Sequence, residues 1–253
     1  MQVEEYLNKI ADEKGTVHLT LIDPASQSPE KGGDIAYEAA CGGTDAIMVG
    51  GSTGAGGTVL DRTIVEIKRR TTIPVILFPA NVDGISPHAD AIFFMSLLNS
   101  RDVNFITTSQ MIGAPLIYKY NIETISMAYL IVEPGGTVGW VGDARLIPKK
   151  KPELAVAYSL AGKYMGMHYT YLEAGSGADR PITPEMISAT KHALGDRNKL
   201  IVGGGIRTVE DARECARAGA DMIVTGTVVE ETGDVRTKVE ELVTAIRNND
   251  PKI

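Results

Sequence analysis

The chain has 253 residues, 43% of them hydrophobic and 23% charged, and a formal net charge of −7. This length is enough to bury one barrel-sized core, and the negative charge argues against nucleic acid as a partner. The two cysteines, Cys41 and Cys215, lack metal-ligand spacing and indicate buried thiols in a reducing, cytoplasmic compartment.

The chain begins with an amphipathic, acidic segment, residues 1–15, which is unlike a signal peptide. No apolar run approaches the roughly 20 residues needed to span a bilayer. Eight short, β-rich apolar runs then follow, several of them apolar throughout, as in parallel strands covered on their outer face. In chain order they are residues 17–24, 45–51, 74–79, 91–96, 126–135, 168–177, 199–206 and 221–227.

Seven segments with helical character lie between and after these runs. They are residues 29–43, 58–70, 110–121, 152–166, 183–195, 208–220 and 237–249. Several start at Thr or Pro and end at Gly, as helix caps require. The alternation predicts a (β/α)₈ TIM barrel formed by residues 1–253 as one domain, with an open doubly wound sheet as the alternative.

The connection between the third and fourth predicted strands is too short to contain a helix like the others. Residues 80–90 contain Gly84 and Pro87 and cannot form a regular helix. The sequence therefore predicts a barrel whose third helix is missing or replaced by a loop. Either the loop is simply shortened, or the gap lets a long apolar ligand lie against the barrel.

Polar and glycine-rich residues cluster at the C-terminal ends of the predicted strands, where barrel enzymes build their sites. The first strand ends at Asp23, the second at Ser52 and the sixth at Glu173. The last two strands end in Gly203-Gly204-Gly205 and Thr225-Gly226-Thr227. These two turns predict a phosphate cradle of backbone amides and two threonine hydroxyls, although each alone is also a tight strand-to-helix turn.

Asp23 and Ser52 present hard oxygen donors of the kind that Mg²⁺ prefers when waters and phosphates complete its shell. Each also has a local interpretation, Asp23 as a turn former before Pro24 and Ser52 as a cap. No His or Cys accompanies them, so a catalytic zinc is disfavoured. The four histidines are scattered and are expected in the core or at the surface.

Five motifs together resemble the geranylgeranylglyceryl phosphate synthase family, in its archaeal branch. They are "HLTLIDP", "IMVGGST", "YLEAGSGA", "IVGGGIRT" and "VTGTVVE". The resemblance runs from Val17 to Glu231, and "YLEAGSGA" is its most specific part. The sequence departs from many relatives at Ala25-Ser26, where they carry an acidic residue and a lysine, and at Thr227, where they carry asparagine.

The resemblance implies a prenyltransferase in which sn-glycerol 1-phosphate attacks geranylgeranyl diphosphate to form the first ether bond of archaeal membrane lipids. It implies Mg²⁺ as the cofactor, held by Asp23 and Ser52. It also implies a homo-oligomer, a dimer or a hexamer, and is compatible with peripheral membrane contact. The implied glycerol phosphate site comprises Tyr171, Leu172, Glu173, Ala174, Gly175, Ser176, Gly177, Gly203, Gly204, Thr225 and Gly226.

In the mechanism that we expect, Glu173 orients the 3-hydroxyl and accepts its proton, or only orients it. Three alternatives remain open: a synthase with a longer heptaprenyl donor, a phosphosugar isomerase that uses Asp23 and Glu173 as its acid–base pair, and a barrel that only binds a ligand.

Overall fold

The structure is a computed structural model that describes residues 1–247. It contains a closed barrel of eight strands in sequential order, each parallel to its neighbours. The closed order confirms the TIM barrel and excludes the open sheet. The strands are β1 (Val17–Ile22), β2 (Ala46–Val49), β3 (Val75–Leu77), β4 (Ala91–Leu97), β5 (Glu123–Ile131), β6 (Tyr169–Glu173), β7 (Lys199–Gly203) and β8 (Met222–Thr225).

Ten α-helices lie within residues 1–247, most of them in an outer layer. They are α1 (Val3–Lys14), α2 (Pro29–Cys41), α3 (Gly57–Arg70), α4 (Ser109–Tyr120), α5 (Gly136–Val141), α6 (Pro152–Tyr164), α7 (Pro184–Leu194), α8 (Val209–Arg217), α9 (Thr227–Glu230) and α10 (Val235–Arg247). All seven predicted helices are present. The end of the last predicted helix and the last six residues of the predicted domain, 248–253, lie outside the described residues.

Local capping explains where several helices start. Ser28 caps α2 by accepting from the Lys31 amide, and Thr183 does the same for α7 from Met186. Thr208 and Asp211 form a reciprocal capping box at the start of α8.

The strands alternate between two packing layers. Leu19, Met48 and Phe93 fill the barrel interior, whereas Ile22 and Ile47 pack outward beneath the helices. The helix α1 lies against this inner cluster through Val3, Leu7 and Ile10.

The connection between β3 and β4 holds a single 3₁₀ turn, Val82–Gly84, in place of a helix. The predicted gap in the outer ring is therefore confirmed. A π-helical turn, Asn104–Thr108, precedes α4 beside it.

Two predicted features differ in detail. Strand β5 starts at Glu123, three residues before the predicted Ser126, because Glu123 and Thr124 pair with β4 despite their polarity. Cys41 is exposed at the end of α2, whereas Cys215 is buried as expected. No helix within residues 1–247 is long and apolar enough to cross a membrane.

Candidate active site

The C-terminal ends of the strands converge on a central cavity at one end of the barrel. Asp23 and Ser52 line it from just beyond the ends of β1 and β2, and Glu173 lines it from the end of β6. Ser176 lines it from the loop after β6, and Thr227 lines it from the start of α9. The strand-end rule therefore brings both predicted metal ligands and the predicted base to one space.

Glu173 is the buried carboxylate of this cavity, with 6% of its surface exposed. Its Oε1 accepts the amide of Gly175 at 2.6 Å, and the hydroxyls of Tyr129 and Tyr171 also hydrogen-bond to it. Burial raises the pKa of Glu173, and these three hydrogen bonds oppose the shift. A carboxylate with a raised pKa is a stronger base than an ordinary carboxylate and is better suited to accepting a proton from a substrate.

The rings of Tyr129 and Tyr171 form an aromatic cluster with Phe78. Their centroids lie 5.2 Å apart, and each lies within 5.5 Å of Phe78. The π faces of such a cluster can stabilise a nearby positive charge. Tyr129 was not anticipated from the sequence, since it lies inside an apolar strand and meets Tyr171 only through the pairing of β5 with β6.

Two glycines let charged groups approach the backbone closely. A Cβ built at Gly204 would lie 2.4 Å from Oε1 of Glu173, and Gly204 has a φ of +79°. A Cβ at Gly51 would lie 2.4 Å from the carboxyl carbon of Asp23. Side chains at either position would displace the carboxylates that line the cavity.

A second cavity adjoins the first between the loops after β6, β7 and β8. Ser176, Gly177, Gly204 and Gly226 line it. These four residues belong to the predicted phosphate site, and we refer to this second cavity as the phosphate cavity. Among the described residues that line it, Arg207 carries the only positive side chain. Its guanidinium donates to the Gly177 carbonyl oxygen at 2.9 Å and so links the loops after β6 and β7.

Two threonine hydroxyls after β8, those of Thr225 and Thr227, were predicted to line the phosphate cradle, but only one of them does. Thr227 faces the site, and its Oγ1 lies 3.1 Å from that of Ser176. The Thr225 side chain points away from the barrel interior, and its Oγ1 lies 3.0 Å from Nε2 of buried His18. Only the backbone of Thr225 can therefore contribute to the phosphate cavity.

The motif at residues 171–177 also divides between two faces. Tyr171 and Glu173 point inward, whereas Leu172 and Ala174 pack in the outer layer because strand side chains alternate. The Ala174 amide donates to the Gly203 carbonyl oxygen at 3.0 Å. Leu172 and Ala174 therefore line neither cavity. The Gly175 amide donates to Glu173, and Gly203, which has no side chain, leaves room for the Tyr171 hydroxyl.

Asp23 lines the central cavity together with Glu173. It is half-buried, and its Oδ1 accepts the amide of Ala25 at 2.9 Å. Burial raises the pKa of Asp23. A second carboxylate, Glu230 from α9, lines the same cavity, and burial and then the Asp23 charge raise its pKa.

These groups fit a magnesium ion chemically. Asp23 and the half-buried Ser52 offer oxygen donors only, which is the donor set that Mg²⁺ prefers. Within residues 1–247 no group of three or more His, Cys, Asp or Glu residues is placed to hold a metal. The pair therefore suits a cation whose other ligands come from water and substrate.

An apolar groove leads away from the central cavity through the gap between β3 and β4. Phe94, Phe105 and Ile117 line it, together with Ile85 beside the 3₁₀ turn. The groove and the central cavity share the residues Ser52, Pro79, Ala80, Met95, Tyr129 and Val138. The phosphate cavity, the central cavity and the groove thus form one continuous path.

Comparison with known proteins gives a consistent result. The model of the PcrB family matches residues 8–246. The geranylgeranylglyceryl phosphate synthase of Methanococcoides burtonii is 72% identical over 247 residues, which are 98% of this chain and 100% of the relative. That of Methanosarcina barkeri is 68% identical over the same shares. The crystal structure of (S)-3-O-geranylgeranylglyceryl phosphate synthase from Thermoplasma acidophilum in complex with sn-glycerol-1-phosphate is 43% identical, with a TM-score of 0.95, and the match covers 98% of this chain and 100% of that one.

Proposed function

Because the chain belongs to the PcrB family, we propose that it joins the 3-hydroxyl of sn-glycerol 1-phosphate to the prenyl group of geranylgeranyl diphosphate through an ether bond. The observation that carries this proposal is the continuous path of a phosphate cavity, a buried carboxylate with an oxygen-donor pair, and an apolar groove. The phosphate cavity suits the phosphate of sn-glycerol 1-phosphate, and the groove suits the prenyl tail. The carboxylate and the oxygen-donor pair suit the 3-hydroxyl and the diphosphate. In archaeal lipid synthesis this would be the first committed step.

The glycerol phosphate lies with its phosphate among the loops after β6, β7 and β8. The backbone at Gly204 and Gly226, the hydroxyls of Ser176 and Thr227 and the Arg207 guanidinium supply donors there. The glycerol portion then extends toward Glu173, which lines both cavities. This orientation places the 3-hydroxyl at the carboxylate.

Glu173 acts as the catalytic residue at that hydroxyl. The hydroxyl oxygen bonds to C1 of the prenyl donor while the C1–O bond to the diphosphate breaks and the diphosphate leaves with the electron pair. The hydroxyl proton passes to the Glu173 carboxylate, help that is typically worth about 10²–10⁴-fold. The negative charge of Glu173 and the aromatic faces of Tyr129 and Phe78 favour the positive charge that develops on C1.

Asp23 and Ser52 are the residues that would hold Mg²⁺. The bound ion would neutralise the diphosphate and make it a better leaving group. Asp23, Glu173 and Glu230 give the central cavity three carboxylates and no cationic side chain among its described lining residues. A cation is therefore the natural counter-charge for an anionic diphosphate in this cavity.

The groove accommodates the prenyl tail. Burial of each CH₂ contributes about 0.8 kcal/mol, so a long isoprenoid gains much of its affinity here. The missing helix between β3 and β4 makes room for it. The geranylgeranyl chain length is part of the proposal.

Three further properties belong to the proposal: a homo-oligomeric assembly as a dimer or hexamer, a cytoplasmic location and peripheral membrane contact. Exposed apolar side chains support the assembly. Trp140 is 86% exposed, and Tyr164 and Met165 are 79% and 69% exposed. Light scattering on the purified protein would measure the oligomer number.

The decisive experiment incubates the protein with sn-glycerol 1-phosphate, Mg²⁺ and a mixture of prenyl diphosphates, followed by mass spectrometry. The expected product is geranylgeranylglyceryl phosphate, and its yield should depend on Mg²⁺. A heptaprenyl product would instead identify the longer-donor synthase. The absence of an ether product with every donor would contradict the proposal and return the phosphosugar isomerase or a non-catalytic barrel to consideration.

A further inference from the structure

We propose that Glu230 is a positioning residue for the divalent cation, because its carboxylate holds the backbone of Asp23 in place. The inference rests on the proposed function, in which Asp23 is a metal ligand. Glu230 itself contacts Asp23 and Gln27 and is assigned no contact with the reacting atoms.

The contacts of Glu230 bind both main-chain groups of Asp23. Its Oε1 accepts the Asp23 amide and the Nε2 of Gln27, each at 3.1 Å. The same Nε2 donates to the Asp23 carbonyl oxygen at 2.8 Å. Glu230 therefore fixes the amide directly and the carbonyl through Gln27.

The other side of Asp23 is equally constrained. Its Oδ1 accepts the Ala25 amide, and its carboxyl carbon lies so close to Gly51 that no side chain fits there. A rotation of the Asp23 backbone would carry the carboxylate away from this position. Control of the backbone by Glu230 is thus control of where a metal-binding oxygen lies.

The chemistry of the residue supports a role beyond joining α9 to the loop after β1. A glutamine would also accept both hydrogen bonds without placing a second negative charge beside Asp23. The two carboxylates line the same cavity, and like charges in a partly buried space repel. Two neighbouring carboxylates favour a bound cation, whereas a purely structural contact would not require the negative charge of Glu230.

The test measures metal binding without turnover. Mn²⁺ is titrated by electron paramagnetic resonance into the full chain in the presence of saturating inorganic pyrophosphate. The variants are Glu230→Ala, Glu230→Gln and Gln27→Ala. Glu231→Gln is the matched control, since Glu231 is the neighbouring carboxylate and is exposed.

We expect Glu230→Ala to weaken Mn²⁺ binding at least about tenfold, the usual effect of losing a residue that orients a metal ligand. Glu230→Gln, which keeps the acceptor oxygen, should weaken it only about threefold, and Gln27→Ala should fall between the two. Glu231→Gln should bind as the unsubstituted protein does. In steady-state kinetics, the Mg²⁺ concentration that gives the half-maximal rate should rise from Glu230→Gln through Gln27→Ala to Glu230→Ala. The KM for glycerol phosphate should stay constant in all three variants.

If the unsubstituted protein binds Mn²⁺, two results would overturn the inference. One is unchanged Mn²⁺ affinity in both Glu230→Ala and Gln27→Ala, with folded protein shown by circular dichroism. The other is an equal loss in Glu230→Gln and Glu230→Ala, which would assign the effect to charge alone rather than to positioning. If the unsubstituted protein bound no Mn²⁺ with pyrophosphate, the metal site of the proposed function would fail first, and this inference with it.

Discussion

A carboxylate beside an anion-binding loop is the central feature at the scale of single residues. Glu173 lines both the phosphate cavity and the central cavity, and burial raises its pKa. Its position between the two cavities separates the proton-accepting end of a glycerol phosphate from the end that carries the charge. Gly175, Tyr129 and Tyr171 donate hydrogen bonds that stabilise the charged carboxylate and oppose the rise in its pKa.

Replacement of Glu173 by Gln keeps the size of the side chain and removes the proton acceptor. We expect kcat to fall about 10²–10⁴-fold, while the affinity for glycerol phosphate measured by calorimetry changes far less. Glu185→Gln, an exposed site at the start of α7, serves as the control. A variant that retained nearly full turnover would show that Glu173 only orients the substrate or has another role.

Arg207 is predicted to govern affinity for the phosphate rather than the chemical step. It lines the phosphate cavity and bonds to the Gly177 carbonyl oxygen, but it is exposed, so its contribution is screened by solvent. We expect Arg207→Ala to raise the KM for glycerol phosphate roughly fivefold to tenfold and to change kcat less than about threefold.

Steady-state kinetics at low and high ionic strength would measure this effect. The difference between Arg207→Ala and the unsubstituted protein should shrink as salt rises. Arg217→Ala, at the exposed end of α8, is the matched control. A fall in kcat at constant KM would contradict the assignment.

His18 makes stability depend on pH. It is fully buried between Thr44 and Thr225, and burial lowers the pKa of its imidazole from 6.5 to about 3. The Thr44 hydroxyl donates its proton to the His18 carbonyl oxygen at 3.1 Å, so its oxygen accepts a hydrogen bond from Nδ1–H of the His18 ring. The neutral ring therefore has no proton on Nε2, which accepts from the Thr225 hydroxyl.

Between these two pKa values the unfolded chain binds a proton on His18 that the folded chain does not bind. The stability due to this group is therefore complete above pH 6.5 and declines as the pH falls toward 3, by about 1.4 kcal/mol per unit. Urea denaturation of the unsubstituted protein and of His18→Gln at pH 7 and pH 5 would measure it. The stability difference between the two should narrow by about 2 kcal/mol at the lower pH; parallel pH profiles would contradict the expectation.

At the scale of elements, α1 depends on a residue far along the chain. The amides of Val3 and Glu4 donate to the Glu123 carboxylate at 2.6 and 2.8 Å, and the side chain of Gln2 at the N-cap makes no capping hydrogen bond. Glu123 opens β5, so it acts as the N-terminal cap of α1.

Glu123→Ala should lower the free energy of unfolding by about 0.5–2 kcal/mol, the usual cost of losing a cap. Urea denaturation would give this value, and hydrogen exchange should show faster opening of α1 than of the barrel strands. Glu5→Gln, exposed on the same helix, is the control. Unchanged exchange in α1 would show that burial of Leu7 and Ile10 alone holds the helix.

The sequence predicts elements well where a local pattern carries them. The strands were recognisable from apolar runs, and the main helices from caps and glycine ends. Three of the ten helices within residues 1–247 were not among these. Residues 1–15, which contain α1, were described only as an amphipathic segment. Neither α5 (Gly136–Val141), which contains poor helix formers, nor α9 (Thr227–Glu230), which has only four residues, has a recognisable helical pattern. Both form where the barrel places them, which no local pattern encodes.

The same limit applies to the site. Asp23, Ser52 and Glu173 could be predicted because strand ends meet at one end of a barrel. Glu230 could not, because its contacts with Asp23 and Gln27 join residues more than 200 positions apart. Likewise, alternation within β6 decides which members of its motif face the cavity.

At the scale of the whole molecule, closing the barrel and omitting one outer helix create the path for a long substrate. Gly113 lies on α4 where the groove passes the 3₁₀ turn, and a Cβ there would meet Ile85 at 2.9 Å. A large side chain at this position would enter the groove beyond the central cavity. We therefore expect the side chain at position 113 to control which lengths of prenyl donor are accepted, independently of the chemistry at Glu173.

We expect Gly113→Phe to raise the KM for geranylgeranyl diphosphate at least about tenfold and to affect geranyl diphosphate little. Each methylene excluded from the groove forgoes about 0.8 kcal/mol, so the longer donor loses more. Competition between the two donors, analysed by mass spectrometry, would measure the change in preference. Ile112→Phe is the matched control, because Ile112 is 52% exposed on the other face of α4. Overpacking costs about 1–3 kcal/mol of stability, so thermal denaturation must accompany the assay; a folded Gly113→Phe protein with unchanged donor preference would show that the tail takes another course.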